Sequence, residues 1–409
     1  MYRAVFADRS GRVIVSDNAA AAFDGVDAVA FADPLPLPPD ALVTPMEREA
    51  ITLDRAGRAH RAGAGRLAVA ALLPPGHLRV QLPAHAEAPG TPDLEPRAYT
   101  AVAADDRGDL VASAIVLDRD PTHDAEAYPK HEIASRVNEA LRTEPGDRLV
   151  RQLARCAREY GCRAAANTFF RRWECALPVA APSNESPVPS VAPRIDREAE
   201  PKEPAAFHPS ADEVADRAVA AIESGATIVA FGQACEGEPL LAVRVIEEAI
   251  AKIRTRTKAA TIHLETSGSS GAALRRLANA GLDSIAVRLM SARGETYERL
   301  HRPRDYRWAD VRTTLRLAVE LRLATDLLVL VLPGLFDRAD EIAALVAVAS
   351  ELPEGSALRL RDLAADPRRA LADARDGGEI VGVSRALERL REELPHVRVG
   401  TFVRPLARI

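Results

Sequence analysis

The chain is nearly without lysine. Lys stands only at positions 130, 202, 252 and 258 of 409, so a lysine Schiff-base mechanism has few carriers. A basic excess is also missing. The 54 basic residues face 59 acidic ones, for a net charge of −5, and this excludes the electrostatic footprint of a nucleic-acid binder. The densest apolar run, Leu327 to Phe336, is about half the length of a membrane span and reads as a buried strand, so no membrane partner is expected. Cysteine is scarce: Cys156, Cys162, Cys175 and Cys235 are the whole set. The start, Met1-Tyr2-Arg3, runs into an alternating strand pattern rather than an export signal. A cytoplasmic placement with reduced thiols is therefore expected, the cysteines serving as ligands or core residues and not as a disulfide framework. Ser-His-Asp, P-loop and HExxH arrangements are all absent.

What is present is a globular composition, 47% hydrophobic and 28% charged, in a chain long enough for two or three domains. Residues 1–128 are short β-like segments broken by proline clusters at 34–39, 74–75 and 89–96, and they read as a β-rich N-terminal domain. Asp8-Arg9-Ser10-Gly11 predicts a hairpin turn between Tyr2–Ala7 and Arg12–Ser16. Residues 129–175 carry helical spacing and three of the four cysteines. Residues 176–370 alternate strands with helices, interrupted by a long loop at 183–206 that is rich in Pro, Ser and Glu. A helix and a strand fill 371–409. With Ala176–Ala181 as the first strand, the repeat predicts an α/β fold, a partial (β/α)6 barrel of TIM type, with a Rossmann-like open sheet as the structural alternative. In both arrangements the chemistry belongs at the C-terminal ends of the strands.

The strongest local signal is Phe231-Gly232-Gln233-Ala234-Cys235-Glu236-Gly237-Glu238-Pro239, between a strand and a helix. Its glycines permit close backbone approach, and its glutamates can accept from an amine or suit a helix N-terminus. Three further segments follow in order: Ile262-His263-Leu264-Glu265-Thr266-Ser267-Gly268, Gly281-Leu282-Asp283-Ser284-Ile285-Ala286-Val287, and Val331-Leu332-Pro333-Gly334. Together they resemble the radical SAM superfamily over about 175–370, and Tyr160-Gly161-Cys162, Asn167 and Arg172-Trp173-Glu174-Cys175 are similar to an uncharacterised bacterial branch of it with a β-rich leader. The resemblance implies that Gly237, Glu238 and Pro239, similar to the GGEP motif, meet the amino group of S-adenosylmethionine. It also implies that Thr266 and Ser267 stand where the third strand often ends in Thr-Asn-Gly.

The departures carry equal weight. The superfamily's first loop holds a [4Fe–4S] cluster on Cys-x3-Cys-x2-Cys. The matching frame here is Ser183-x3-Pro187-x2-Ser190, in which every thiolate is gone. Proline cannot ligate, and serine is a poor substitute for a soft thiolate. Ser267 stands where Asn is common, and Arg288 and Met290 stand where small polar residues are usual. If Cys156, Cys162, Cys175 and Cys235 converge at the barrel mouth, they offer a zinc or iron–sulfur site; otherwise they are buried core thiols. Three functional readings follow. The first is a degenerate member that binds a small-molecule ligand or a protein partner without radical chemistry. The second is an active iron–sulfur enzyme using the displaced cysteines. The third is a zinc-stabilised structural or interaction protein. Other polar residues carry weaker signals. His208 and His263 read as hydrogen-bonded structural residues, and His123, Asp124 and His131 lack ligand spacing. Arg302, Arg304 and Arg307 form a basic patch that reads as a solvated face, with phosphate or carboxylate binding as the alternative; Arg361, Asp362 and Asp366 end the sixth strand and read as an ordinary salt bridge, with a pocket pair as the alternative; Trp173 and Trp308 read as packing residues.

Overall fold

A computed structural model describes residues 2–88, 90–120, 128–180, 182–188, 205–233, 236–374 and 378–406. The N-terminal region forms one twelve-stranded sheet whose named strand pairs are antiparallel. Its hairpins reuse one device. Asp8 accepts from the Ser10 and Arg12 amides at 2.8 and 3.1 Å, and the next glycine, Gly11, takes a positive φ. Asp54 with Gly57 and Asp105 with Gly108 repeat it. The short carboxylate replaces a backbone partner in each turn, and glycine supplies the left-handed residue. One strand escapes the sequence pattern. Leu42–Leu53 runs through Pro45, and its register with Leu67–Leu72 shifts between Pro45 and Glu49, as expected where proline removes a ladder donor.

Residues 129–175 supply three helices, α1 (Ile133–Thr143), α2 (Arg148–Glu159) and α3 (Arg163–Phe170), which share a small core built on Val137, Leu153, Ala157 and Phe169. A seven-stranded parallel sheet follows: β1 (Glu174–Ala176), β2 (Ile228–Phe231), β3 (Thr261–Thr266), β4 (Ser284–Leu289), β5 (Ala324–Val331), β6 (Ala357–Asp362) and β7 (Arg398–Gly400), paired in chain order. This is a partial TIM-type barrel behind a β-rich leader. Helices α4 (Ala211–Glu223), α5 (Val243–Arg256), α6 (Gly271–Ala280), α7 (Gly294–His301), α8 (Trp308–Glu320) and α9 (Ala339–Ala349) connect the strands, followed by α10 (Pro367–Ala374) and α11 (Val383–Glu393). Their apolar faces pack on the sheet. Ile262, Leu264, Ile285 and Val287 join that outer core, while alternate residues face the lumen.

Three sequence expectations are corrected here. The first strand is Glu174–Ala176 and not Ala176–Ala181. Leu177 N makes the last ladder bond, to Ala230 O, and the Val179 and Ala180 amides turn instead to a carboxylate, that of Glu236. The last strand joins the same sheet, because Ala357–Arg359 pairs in parallel with Arg398–Gly400. Helix α10, which follows β6, has no counterpart in the sequence reading.

The N-terminal sheet docks on the barrel at the C-terminal ends of β5 and β6. Arg79 is fully buried there. It donates to Leu363 O at 2.7 Å, Val331 O at 3.2 Å and Tyr99 O at 3.4 Å, with Asp362 at 3.8 Å. Asp366 accepts from the Leu94 amide at 2.7 Å, and Arg369 pairs with Asp93 at 3.0 Å. Gly25 and Gly334 meet backbone to backbone, so that a Cβ on either would collide with the other.

Candidate functional site: the C-terminal mouth of the barrel

Three loops build the mouth. At the end of β2, Gly232 takes φ +88°, and a Cβ there would strike the Glu265 carbonyl oxygen. Only glycine fits that approach. Glu236, four residues on, is buried and accepts from the Val179 and Ala180 amides at 2.9 Å each and from the Gly232 amide. Burial pushes its pKa up to about 7 despite those three donors. The turn is bound to the loop after β1 a second time, by Gly237 N to Ala180 O (2.6 Å) and Glu238 N to Pro182 O (2.9 Å).

The structure brings the sequence-derived residues Glu238, Thr266 and Ser267 together. Glu238 caps the short 3₁₀ turn Pro239–Ala242 through the Leu240 amide (3.1 Å) and accepts from the Thr266 hydroxyl and the Ser267 amide (2.8 Å). Its carboxylate is thus engaged by its own turn and by the end of β3, with Gly237 and Pro239 on either side of it in the chain. Burial raises its pKa. Ser267 Oγ is buried without a hydrogen-bond partner among the described residues.

The first loop is where sequence reasoning saw least. Glu185 is 9% exposed and anchors the described part of the loop. Its Oε1 accepts from Tyr306 Oη at 2.7 Å and lies 3.1 Å from His301 Nδ1. The Met290 amide donates to His301 Nε2 at 3.0 Å, which leaves the imidazole proton on Nδ1, aimed at Glu185. Tyr297 stacks on His301 with ring centroids 4.0 Å apart, and its hydroxyl lies 3.1 Å from that of Tyr306. Burial alone would raise the Glu185 pKa; contact with His301, the Arg288 charge and the Tyr306 hydroxyl outweigh it and hold it at about 2. The backbone follows the side chain. Ser186 N bonds to Arg302 O and Val188 N to Leu300 O, both at 3.2 Å, and Arg304 N bonds to Asn184 O at 2.8 Å. Arg304 Nη2 adds bonds to Ser183 O and Glu185 O, so this member of the basic patch holds the loop. Val188 is buried against Met290, Leu300 and Leu332.

Below the mouth the lumen is ion-paired. Arg359 is fully buried, 2.7 Å from Glu265 Oε1 and 3.2 Å from His263 Nε2, while Ser284 Oγ lies 2.8 Å from His263 Nδ1. Gln233 Nε2 also donates to Glu265 Oε1, at 3.2 Å. Burial would raise the Glu265 pKa, but Arg359 and Arg361 hold it at about 2. Glu174 enters from β1, reached by Asn167 Nδ2 at 3.4 Å, and burial with Glu265 nearby raises its pKa to about 7.

The donor set does not fit a [4Fe–4S] cluster in the first loop. Ser183 Oγ accepts from the Glu185 amide at 3.2 Å, Pro187 has no side-chain donor atom, and Ser190 lies outside the described residues. The cysteines do not replace it among the described residues. Cys156 and Cys162 sit in the helical core of α2 and α3, whereas Cys175 belongs to the core behind the sheet. Burial pushes the Cys175 thiol up to about 12, far from the thiolate a metal needs. Among the described residues no three His, Cys, Asp or Glu side chains gather as a metal group, and Cys235 lies outside those residues, as do His123 and Asp124. Glu185, His301, Tyr306 and Arg359 carry no motif, and only the fold unites them. Among the described residues no helix is long and apolar enough to cross a membrane.

Residues 185–346 match the family model of the radical SAM superfamily. No curated protein matches the chain. Among solved structures the chain is similar to a radical SAM methyltransferase from Sphaerobacter thermophilus, at 16% identity and TM-score 0.36, over 48% of this chain and 59% of that one. It is similar to the FeFe-hydrogenase maturase HydG from Carboxydothermus hydrogenoformans at 15% identity and TM-score 0.38, over 66% and 69% of the two chains. SuiB from Streptococcus suis matches at 8% identity and TM-score 0.39, over 68% and 61%. The chain spans less than two thirds of the methyltransferase's length, and at these scores the likenesses bear on neither activity nor substrate.

Proposed function

We propose that this chain, whose residues 185–346 match the radical SAM superfamily, is a member that has given up the iron–sulfur cluster with which that superfamily in general uses S-adenosylmethionine, and that it binds a ligand or partner at the barrel mouth without radical chemistry. One observation carries the reading: the first loop offers no thiolate, and its Glu185 is bonded to Tyr306 and His301. A hard carboxylate already engaged by two hydrogen-bond partners is a poor seat for a soft iron–sulfur cluster. The engagement of Glu238 by its own turn and by the end of β3 supports the same reading, since its oxygens already accept from three donors. Among the described residues, what remains at the mouth is a polar surface at the strand ends, where barrel proteins bind small molecules.

The test is anaerobic reconstitution of the full chain with iron and sulfide, followed by metal analysis and incubation with S-adenosylmethionine and a strong reductant. The expected result is no stoichiometric iron and no reductive cleavage. About four irons per chain, with cleavage, would overturn the proposal in favour of an active enzyme using other ligands. Stoichiometric zinc in the protein as purified would favour the structural reading of the cysteines.

A further inference from the structure

We propose that Cys156 and Cys162 are a redox pair, closing a reversible disulfide across the turn between α2 and α3 when the protein meets a small disulfide oxidant such as oxidised glutathione. The inference is independent of what the barrel mouth binds.

The backbone already joins the two residues. Helix α2 ends at Glu159, Gly161 turns the chain at φ +57°, and the Cys162 amide donates to the Cys156 carbonyl at 3.1 Å. A bond of that kind sets the two Cα atoms about 5–6 Å apart, the separation at which disulfides are commonest. The side chains share one small core with Leu153, Ala157, Ala165 and Phe169. Where a left-handed glycine closes a helix, the residue after it folds back on the last turn, and here a cysteine stands at each end of that contact. Gln152 Nε2 donates to Cys156 Sγ at 3.7 Å, which holds that sulfur in place. Both thiols are reduced in this structure. Cys175 is no rival partner: it belongs to the core behind the sheet, and burial pushes its thiol up to about 12.

The exchange balances as two thiol attacks. Cys162 is 8% exposed and Cys156 1%, so the Cys162 thiolate attacks the oxidant first. The glutathione S–S bond breaks, one glutathione leaves as a thiolate, and a mixed disulfide forms on Cys162. The Cys156 thiolate then attacks the Cys162 sulfur and expels the second glutathione. The two cysteines are oxidised, one oxidised glutathione is reduced to two thiols, and the two cysteine protons end on those thiols. Only residues 157–161 separate the pair, so the bond constrains the unfolded chain little and stays within reach of a thiol reductant. The switch has a route to the barrel. Cys162 is the N-cap of α3, and α3 carries Asn167, which accepts from Tyr128 Oη at 2.6 Å and reaches Glu174 of β1 at 3.4 Å.

The experiment equilibrates the folded full chain with mixtures of reduced and oxidised glutathione, quenches with an alkylating agent and reads the cysteine peptides by mass spectrometry. A Cys156–Cys162 link is expected to rise with the oxidised fraction and to vanish on adding a dithiol. Cys156→Ser removes the resolving thiol and is expected to raise the glutathione adduct on Cys162 at least about tenfold over wild type. Amide exchange over residues 160–167 is expected to slow in the oxidised protein. The wild-type link decides alone if the variant does not fold. No link in the folded wild type across the whole range, pairing of Cys162 with Cys235 instead, or zinc held on these two thiols would overturn the inference.

Discussion

Replacing Arg79 by methionine should undock the N-terminal domain. The side chain is fully buried and spends its charge on carbonyl oxygens of the barrel. Methionine fills much of the same volume but donates nothing. Val331 O would keep its ladder bond from Leu363 N at 2.8 Å, so its loss is partial. Leu363 O would lose its 2.7 Å donor, and Asp362 would lose its nearby cation at 3.8 Å. Hydrogen bonds to a charged group contribute roughly 1.5–3 kcal/mol each, so two of them set the cost at about 3–6 kcal/mol. That is a large share of a typical stability of about 5–15 kcal/mol. The chain has more than one structural layer, so the loss should appear as a separate, earlier transition of the N-terminal domain and not as one shifted unfolding event. Scanning calorimetry should find that transition lowered by at least about 5 °C, and limited proteolysis should cut near Asp118 or Leu94 first. An Arg79→Met variant that melts in step with the wild type, with unchanged proteolysis, would refute the docking role assigned to this residue.

Further outcomes follow from other contacts. Glu174 has an ordinary pKa of 4.5 and is raised to about 7 in the fold, so the folded state holds its proton more tightly; its stabilising contribution is fully present below about pH 4.5 and fades as pH rises through 7. Denaturant midpoints should therefore fall between pH 5 and pH 8, and Glu174→Gln, fixed in the neutral form, should flatten that slope; an unchanged slope would contradict the assignment. Tyr306→Phe removes a 2.7 Å donor to Glu185 and should cost about 1–3 kcal/mol while loosening the loop at 183–188, seen as faster amide exchange there. Gly232→Ala should destabilise by well over 1 kcal/mol, because a Cβ strikes the Glu265 carbonyl and the backbone has a positive φ; equal thermal midpoints would refute the close approach. Gly25→Ala should weaken domain docking at Gly334 without disturbing the barrel, read as earlier melting of the N-terminal domain alone.

The alternation of strands and helices beyond residue 207 is legible in the chain because buried parallel strands need continuous apolar runs, and these stand out between capped helices. Ser210 with Glu213 forms the capping box that starts α4, and Gly281 ends α6 in a left-handed turn. The turn at Gly237–Pro239 and the end of β3 are legible as neighbours by their order, and Glu238 does meet Thr266 and Ser267. The hairpin at Asp8–Gly11 follows from one short carboxylate and one glycine. Local chemistry and hydrophobic period were sufficient for all of these. Leu42–Leu53 was not legible because Pro45 breaks the period within a strand that long-range pairing sustains.

The residues themselves settle that the first loop at Ser183 and Pro187 has no thiolates, since that is a matter of which atoms are present. They do not settle what the loop does instead. Glu185 meets His301 and Tyr306 across 116 and 121 residues of chain, and Arg79 reaches Val331 and Leu363 across 252 and 284. Such partners carry no spacing signal, because no helix or strand period links them. Forming the barrel and docking the N-terminal sheet bring them together, and tertiary packing alone decides which carboxylate or carbonyl satisfies each buried charge.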